Sequence, residues 1–367
     1  MRRQVLLALG WYHPKTHRGI ARFAGEHNWH LASEMLFDQR LPWTWKGDGI
    51  LTSLVAGKDY EGFIRNSALP SVVIGNSRHG LACPMVREDN EKIGIMAAEY
   101  FLKKGFQNYA FFWTRPHFRS HSYVQRLKED GYDCQVLFTP SQDTISHSLN
   151  EWLQQKFHKL PKPIAIYCPD DNTGSEVIEA ALDAGFKVPE EISVLGTHND
   201  EIICENLVVP LSSVDNDFER QGYEAAALLH RMMNGEDLPN DELLIPPSQV
   251  VSRVSTDILA YDNVDLVKAL RFIKNTYSGP IDVDDVVAQS SVSRRSLYNI
   301  FKQYLNRSIA AEIQRHRLEE ASKLVLESQL SFVEISKVCG FSNYKVFHRN
   351  FRKHFATSPR EWRKRQE

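Results

Sequence analysis

One short pattern occurs twice near the C-terminus, and it constrains the chain more than any other stretch. A compact helix is expected over Val283–Gln289, followed by a tight turn and a second helix opening at Ser293 with Arg294 and Arg295. Fifty residues later, Phe332–Val338 leads through Cys339-Gly340-Phe341-Ser342 into a helix carrying Lys345, His348 and Arg349. Each copy is a supporting helix, a turn of three or four residues and a basic second helix, which is the helix-turn-helix signature. The copies span about 282–305 and 331–355. Capping residues support these boundaries independently. Ser331-Phe332-Val333-Glu334 is a capping box, and Ser358-Pro359-Arg360-Glu361 offers a capping Ser, Pro at N1 and Glu at N3.

Charge is distributed to match. From Asp262 to Glu367 there are 19 Lys+Arg against 12 Asp+Glu, a net +7, whereas the preceding residues hold 25 against 34, a net −9. A basic module behind an acidic body implies a polyanion binder on a carrier that does not itself bind polyanions. The 367 residues suffice for two or three domains, each with its own core. Five scattered cysteines without a CxxC pair argue against a disulfide framework or a Cys-based zinc site, and fit a reducing cytoplasm. Arg2-Arg3 before Val5–Leu9 imitates a signal peptide, but the apolar run breaks at Gly10–Pro14 and no cleavage site follows, so a buried first strand is expected. No apolar run reaches the roughly 18 residues of a membrane span, so no membrane partner is expected.

Ahead of the basic module, short apolar runs alternate with helical patterns. Val5–Gly10, Gly49–Val55, Ser71–Gly75, Tyr109–Trp113, Cys134–Phe138, Ile164–Cys168 and Ser193–Gly196 are expected to be strands. Helices are expected at Lys15–His27, Asn90–Lys104, His121–Asp130 and Asn172–Ala184, with Gly105 and Gly185 as C-terminal caps. Strands buried on both faces and separated by helices indicate parallel βαβ units, hence a doubly wound α/β architecture in one or two lobes. Ligands bind such sheets at the carboxyl ends of their strands.

Three stretches make a family resemblance specific. Val86-Arg87-Glu88-Asp89-Asn90 with Gly94 and Ala97, Val188-Pro189-Glu190-Glu191-Ile192-Ser193-Val194-Leu195-Gly196, and Pro210-Leu211-Ser212-Ser213-Val214 with Gly222 and Ala226 resemble the LacI/GalR sensor pattern over roughly residues 4–255. This resemblance implies a two-lobed periplasmic-binding-protein-like fold over 1–255, holding a small polar effector, such as a sugar, between the lobes. Unlike LacI/GalR proteins, the chain is expected to have no DNA-binding headpiece before its first strand. Residues 256–264, overlapping the unpatterned Arg253–Asn263 region, are expected to be a linker. Residues 265–367, with Cys339-Gly340-Phe341-Ser342, Phe347, Phe351, Phe355, Ser358-Pro359 and Trp362, resemble the all-α AraC-type DNA-binding domain.

In the two second helices, Leu297, Ile300, Phe301, Phe347 and Phe351 are expected to face inward. Arg294, Arg295, Asn299, Tyr344, Lys345 and Arg349 are then candidates to read base edges. Arg bridges guanine O6/N7 and Asn bridges adenine N6/N7. The family motif places base readers at Arg295, Asn299, Lys345 and Arg349. Tyr298, Arg307, Arg315, His348, Arg352, Lys353 and the Arg363-Lys364-Arg365 tail are candidates for phosphate contact, which supplies affinity rather than sequence choice. A long helix over Ile309–Glu327 is expected to join the two motifs, setting them about one DNA turn, roughly 34 Å, apart.

The effector site is harder to place. The resemblance implies an Arg and an Asp gripping sugar hydroxyls, and alignment puts His121 and His198 at those positions, with Arg119 or Asp200 available after a small shift of register. Trp11, Tyr12 and His13 after the first strand, with Trp113, offer aromatic walls or simple lobe packing. Asp170, Asp171 and Asn172 offer polar contacts or a helix cap, and Asn199 follows His198. His117, His121 and His198 could ligate a metal, but without HExxH or a Cys partner no metal or cofactor is expected. GxGxxG, GxSxG, Walker A and clearly placed carboxylate pairs are all lacking, so no enzyme is expected. The expectation is a ligand-controlled transcription regulator; the LacI/GalR resemblance implies a homodimer joined near Asn90–Lys104, and the AraC resemblance implies activation by contact with RNA polymerase. A repressor, or a solute-binding protein or sensor with a non-sugar ligand, are the alternatives.

Overall fold

The computed structural model describes residues 2–33, 35, 40–55, 59–76, 80–113, 118–138 and 148–364. His117 and Arg365 lie outside the described residues. The chain divides into two compact units, Met1–Ile258 and Leu259–Glu367.

The first unit holds two six-stranded sheets. In chain order its strands are β1 (Arg3–Leu9), β2 (Trp29–Ala32), β3 (Gly49–Ser53), β4 (Ser71–Ile74), β5 (Met85–Glu88), β6 (Asn108–Trp113), β7 (Cys134–Phe138), β8 (Ile164–Tyr167), β9 (Ile192–Thr197), β10 (Ser212–Asp215), β11 (Glu242–Ile245) and β12 (Gln249–Val251). Its helices are α1 (Pro14–Glu26), α2 (Tyr60–Ser67), α3 (Asn90–Leu102), α4 (Arg119–Glu129), α5 (Leu149–Phe157), α6 (Asp171–Asp183), α7 (Glu201–Glu205) and α8 (Phe218–Met233). The first sheet runs β11-β5-β4-β3-β1-β2 with all neighbours parallel. The second runs β12-β10-β9-β8-β6-β7 and is parallel except for β12.

Each sheet is the middle of a lobe. Val5, Leu7, Leu51 and Val72 face α1 and α8 on one side of the first sheet, with Ala225, Ala226 and Leu229 opposite them. Leu6, Ala8 and Ile50 face Phe63 and Ile64 of α2 on the other side. Successive residues of β1 are thus buried on opposite faces, which is why the strand is apolar without alternation. Helices α1 and α8 approach at glycine. A Cβ on Gly19 would lie 1.9 Å from the Glu219 carbonyl oxygen, and one on Gly222 would lie 2.0 Å from that of Thr16. The second lobe buries Ile164, Ile166, Val177, Ile192 and Val194 in one core with Leu153 and Phe157.

The chain passes between the lobes three times. It leaves β5 of the first sheet for α3, which packs on α4, β10 and β12. It returns from β10 to α8, which packs on α1, β3, β4 and β5, and crosses again between β11 and β12. Strands β1, β3, β4 and β5 of one lobe and β6, β8, β9 and β10 of the other turn their carboxyl ends toward the cleft, where open α/β sheets hold ligands.

The second unit is helical: α9 (Val264–Thr276), α10 (Val283–Val287), α11 (Arg294–Leu305), α12 (Ile309–Glu327), α13 (Phe332–Val338), α14 (Tyr344–Phe355) and α15 (Pro359–Arg363). It has two small cores. Leu266, Ile273, Val286, Leu297, Phe301 and Ile313 form one. Leu318, Val325, Ile335, Phe341, Phe347 and Phe351 form the other. Helix α12 contributes to both, so each helix-turn-helix is a small body built on one end of the same rod.

Candidate functional site

In the helical unit, sequence spacing alone determines which residues face out. With Leu297, Phe301, Phe347 and Phe351 fully buried, the 3.6-residue period leaves Arg294, Arg295, Tyr298 and Asn299 exposed on α11, and Tyr344, Lys345 and Arg349 exposed on α14. His348 is half-buried, whereas Arg352 and Lys353 are exposed. Side-chain caps fix both helix starts. Ser293 accepts from the Ser296 amide at 3.2 Å, and Asn343 from that of Val346 at 3.0 Å.

Several cations on this unit already have partners. Arg294 donates to Asp284 at 2.6 Å. Glu312, 4 % exposed, pairs with Arg307 at 3.2 Å and with Arg315 at 2.5 Å. Arg363 donates to the carbonyl oxygens of Val325 and Leu330 and lies over the Phe332 ring. Arg307 and Arg363 therefore tie neighbouring segments together and Arg315 braces α12 through Glu312 and Glu319 of the same helix, uses of Arg that composition cannot distinguish from phosphate binding.

In the cleft between the lobes, Arg119 is the centre. Alignment placed His121 at the Arg position and started the helix there, but α4 begins two residues earlier. Arg119 is 1 % exposed and points into the cleft, while His121 is exposed on the outer wall. Arg119 donates to Asn90 Oδ1 at 2.7 Å, to the Pro169 carbonyl oxygen and to Glu88 Oε1 at 3.2 Å. Two of its nitrogens lie 3.3 and 3.4 Å from His198 Nε2. Glu88, 5 % exposed, also accepts from Asn216 at 3.3 Å and from Asn76. Glu88 lies in the Val86–Asn90 stretch, but neither its place in the cleft nor that of Asn216 was read from the sequence, since the side-chain partners of Glu88 are 12 to 128 positions away.

His198 has φ +105° and its neighbour Asn199 φ +52°. The His198 value lies in territory that non-glycine residues seldom occupy, and such strain persists only where the surroundings impose it. Here the Ser213 hydroxyl accepts from the Asn199 amide at 2.9 Å, and Asp171 accepts from the Asp200 amide at 2.8 Å and from the Ser213 hydroxyl at 2.6 Å. Burial pushes the Asp171 carboxyl up to about 7, against these hydrogen bonds. Asp171 thus holds the strained loop in place. Asp170 caps α6 through the Thr173 amide at 2.7 Å, Asp200 caps α7, and Asn172 is exposed.

The aromatic wall comes from Trp11 and Phe218, with ring centroids 5.5 Å apart. Trp11 is 6.4 Å from the His198 ring, and its backbone is pinned by reciprocal bonds with Ser53. His13 lies beneath, its ring 4.2 Å from that of Phe218, and burial brings it down to about 4. Tyr12 is exposed and bonds His17, and Trp113 packs on Phe111 and Phe138. The structure thus brings together Trp11, His13, Arg119 and His198, and leaves Tyr12, Trp113, His121, Asp170 and Asn172 apart from them. The cavity that Trp11, Glu88, Arg119, His198, Phe218 and Gln221 line is about 220 Å³, room for one small molecule. A larger outer groove of about 1020 Å³ beside α3 and α4 has its wall cations paired, Arg87 with Glu242 at 2.5 Å and Arg126 with Asp130 at 3.0 Å. Among the described residues, no group of three or more His, Cys, Asp or Glu is arranged to hold a metal.

Known proteins share this pairing of a two-lobed unit with a helix-turn-helix unit. Residues 98–256 match the periplasmic binding protein-like domain family and residues 286–365 a helix-turn-helix domain family. The xylose operon regulatory protein of Escherichia coli strain K12 is 28% identical over 374 residues, covering 96% of this chain and 94% of its own. That of Haemophilus influenzae is 28% identical, covering 86% and 84%. The solved structure of the xylose-binding transcription activator XylR superposes with a TM-score of 0.62 at 26% identity, over 99% of this chain and 98% of its own. The regulator CelR in complex with cellobiose shares the fold of the first unit, with a TM-score of 0.55 at 18% identity over 69% and 85%.

Proposed function

Because the chain belongs to the transcription regulators that join a periplasmic-binding-protein-like sensor to an AraC-type helix-turn-helix domain, we propose that it activates a carbohydrate-utilisation operon when a small sugar occupies the sensor cleft. It is a DNA-binding regulator and not an enzyme, as its full-length relatives are. The observation that carries the proposal is a polar, aromatic-walled cleft on the same chain as two exposed basic helices. Arg119 and Glu88 supply a donor and an acceptor for hydroxyls, and Trp11 and Phe218 supply apolar faces for a sugar ring. Xylose is the first effector to test, since the full-length relatives are xylose operon regulators.

On DNA, Arg295 and Asn299 of α11 and Lys345 and Arg349 of α14 read base edges in successive major grooves. Arg294 and Tyr344 flank them, and Tyr298, His348, Arg352 and Lys353 hold phosphates. We further propose a cytoplasmic homodimer that contacts RNA polymerase. Half-exposed Ile95, Met96 and Glu99 of α3 are the face offered to the second copy, while Tyr100 on the same helix bonds Ser252 and Thr256, both at 2.6 Å.

The test is footprinting of the full chain on the DNA upstream of the genes that neighbour its own, with a transcription reporter, with and without xylose. Protection of two adjacent half-sites and sugar-dependent transcription are expected. Transcription that falls when the sugar is added would replace the activator by a repressor, and absence of any protected site would overturn the proposal.

A further inference from the structure

The cleft holds charges that already cancel and polar groups that have no partner. Glu88 and Arg119 are both buried and 3.2 Å apart. The nearby cation Lys15 is turned away, donating to the Asn199 carbonyl oxygen at 2.8 Å and lying 3.6 Å from Asp215. Beside the pair, Gln221 is 1 % exposed and lines the cavity. Among the described residues neither its amide nitrogen nor its amide oxygen has a hydrogen-bond partner. The Asn216 side-chain oxygen, fully buried, is likewise without one. Buried polar groups are nearly always satisfied, so an exception that lines a cavity, as the Gln221 amide does, asks for a ligand that completes it.

What would complete it follows from the chemistry of the groups. Glu88 only accepts, and the Gln221 amide both donates and accepts. A hydroxyl also does both, so a neutral polyol meets Glu88 and Gln221 together. An anion would gain Arg119 only by displacing Glu88, and would otherwise sit against a buried carboxylate, where like charges in a weakly screened site repel strongly.

We propose that Glu88 makes this cleft selective for a neutral polyhydroxylated effector over an anionic one of the same shape, and that Gln221 is a specificity-determining contact to that effector. This rests on the reading that the cleft is the effector site. Glu88 acts as a built-in counter-anion. It pairs with Arg119 and so removes the charge that would draw in a sugar acid or a sugar phosphate. Gln221 sits on α8, in the first lobe, and Arg119 on α4, in the second, so one ligand touching both is held by both lobes.

The test is calorimetric titration of the full chain with two pairs of probes, D-xylose with D-xylonate and D-glucose with D-glucuronate. The pair whose neutral member binds decides. Wild type is expected to bind the sugar at least about 100-fold more tightly than its acid. Glu88→Gln, which keeps the shape and removes the charge, is expected to narrow that ratio at least tenfold. Gln221→Met is expected to weaken the neutral sugar about tenfold and leave the ratio between sugar and acid unchanged. Equal binding of sugar and acid by wild type overturns the inference with no variant needed. An unchanged ratio in a folded Glu88→Gln overturns the role of Glu88, and undiminished sugar binding by Gln221→Met overturns that of Gln221. If no member of either pair binds, the effector reading itself falls and this inference with it.

Discussion

Arg295, the second residue of α11, and Arg349, the sixth of α14, are both exposed, whereas Arg294 is held by Asp284 across the turn. An exposed pair of that kind is worth about 1 kcal/mol or less, so Arg294 can leave Asp284 for DNA at small cost. Arg295→Ala and Arg349→Ala are each expected to lose about 1–3 kcal/mol of operator affinity and to relax the sequence preference at one base position. Binding to a randomised operator library reads both effects, and an unaltered preference would remove these residues from the reading set. His13 belongs to the cleft and titrates in the opposite sense to a surface histidine. Its folded value, about 4, lies below the ordinary 6.5 because burial disfavours the imidazolium. The unfolded chain therefore takes up the proton first, and the stability contributed by neutral His13 is complete above pH 6.5 and is lost as the pH falls toward 4. Allowing for partial solvent access, His13→Phe is expected to remove about 2 kcal/mol of that pH dependence, measured as the difference between the two melting curves at pH 7 and pH 4. Of the cleft residues, Trp11, His13, Arg119 and His198 were legible in the sequence because each follows a recognisable strand or turn. Glu88 and Gln221 were not, because their surroundings are assembled from crossovers between lobes, and alignment favoured His121 over Arg119 because the α4 N-terminus carries no side-chain cap to mark it.

At the scale of elements, the strongest local instructions are the capping boxes at α10, α13 and α15. In the last of these, Glu361 accepts from the Ser358 amide and hydroxyl, both at 2.8 Å, and from Thr357, and these bonds hold its carboxyl down to about 2. A depressed carboxylate stabilises the fold above its unfolded value, 4.5, and that contribution is lost as the pH falls through 2. Glu361→Gln, which keeps one acceptor, is expected to flatten the loss of helicity of the Leu259–Glu367 unit between pH 4.5 and 2, followed by circular dichroism of the full chain and the variant. An identical acid limb would show that the cap does not govern α15. The turn of the second motif depends on Gly340, at φ +75°, where a Cβ would lie 2.3 Å from the Tyr277 carbonyl oxygen. Both the conformation and the close approach exclude a side chain, so Gly340→Ala is expected to cost about 2 kcal/mol or more and to weaken DNA binding through misplacement of α14. Helices with caps and strands buried on both faces were readable from sequence for this reason. Strands β2, β11 and β12 were not, since they are three or four residues long, sit at or near sheet edges and show no alternation. Helix α5 went unread although Ser148 and Glu151 form a capping box, because only Leu153 and Phe157 of its nine residues are buried.

For the molecule as a whole, control requires that the effector distinguish two arrangements of the sensor, because a ligand with equal affinity for both shifts nothing. Lys15 provides a contact that joins the two lobes, and an arrangement that parts them there would lose it. It reaches from α1 in the first lobe to the Asn199 carbonyl oxygen, Asp215 and Glu201 at 2.8, 3.6 and 3.3 Å in the second, and its side chain is 16% exposed. A partly buried, charge-assisted contact of this kind is worth roughly 1.5 kcal/mol, about a tenfold change in an equilibrium. Lys15→Met is therefore expected to weaken effector binding about tenfold without touching the cavity wall, since apparent affinity falls in proportion to the closed fraction. A change of that kind must also appear at the other end of the chain. If the effector alters operator affinity by some factor, operator DNA must alter effector affinity by the same factor. Titrating the effector with and without operator DNA, and the operator with and without effector, gives that factor twice. In wild type the two values should agree. In Lys15→Met they should still agree with each other. The sugar concentration that gives half-maximal response in the reporter should rise about tenfold, with the response at saturating sugar largely retained. A variant that binds the effector as wild type does would show that the Lys15 contact does not set the balance between open and closed sensor. A variant deaf to sugar at any concentration would place Lys15 in the output itself.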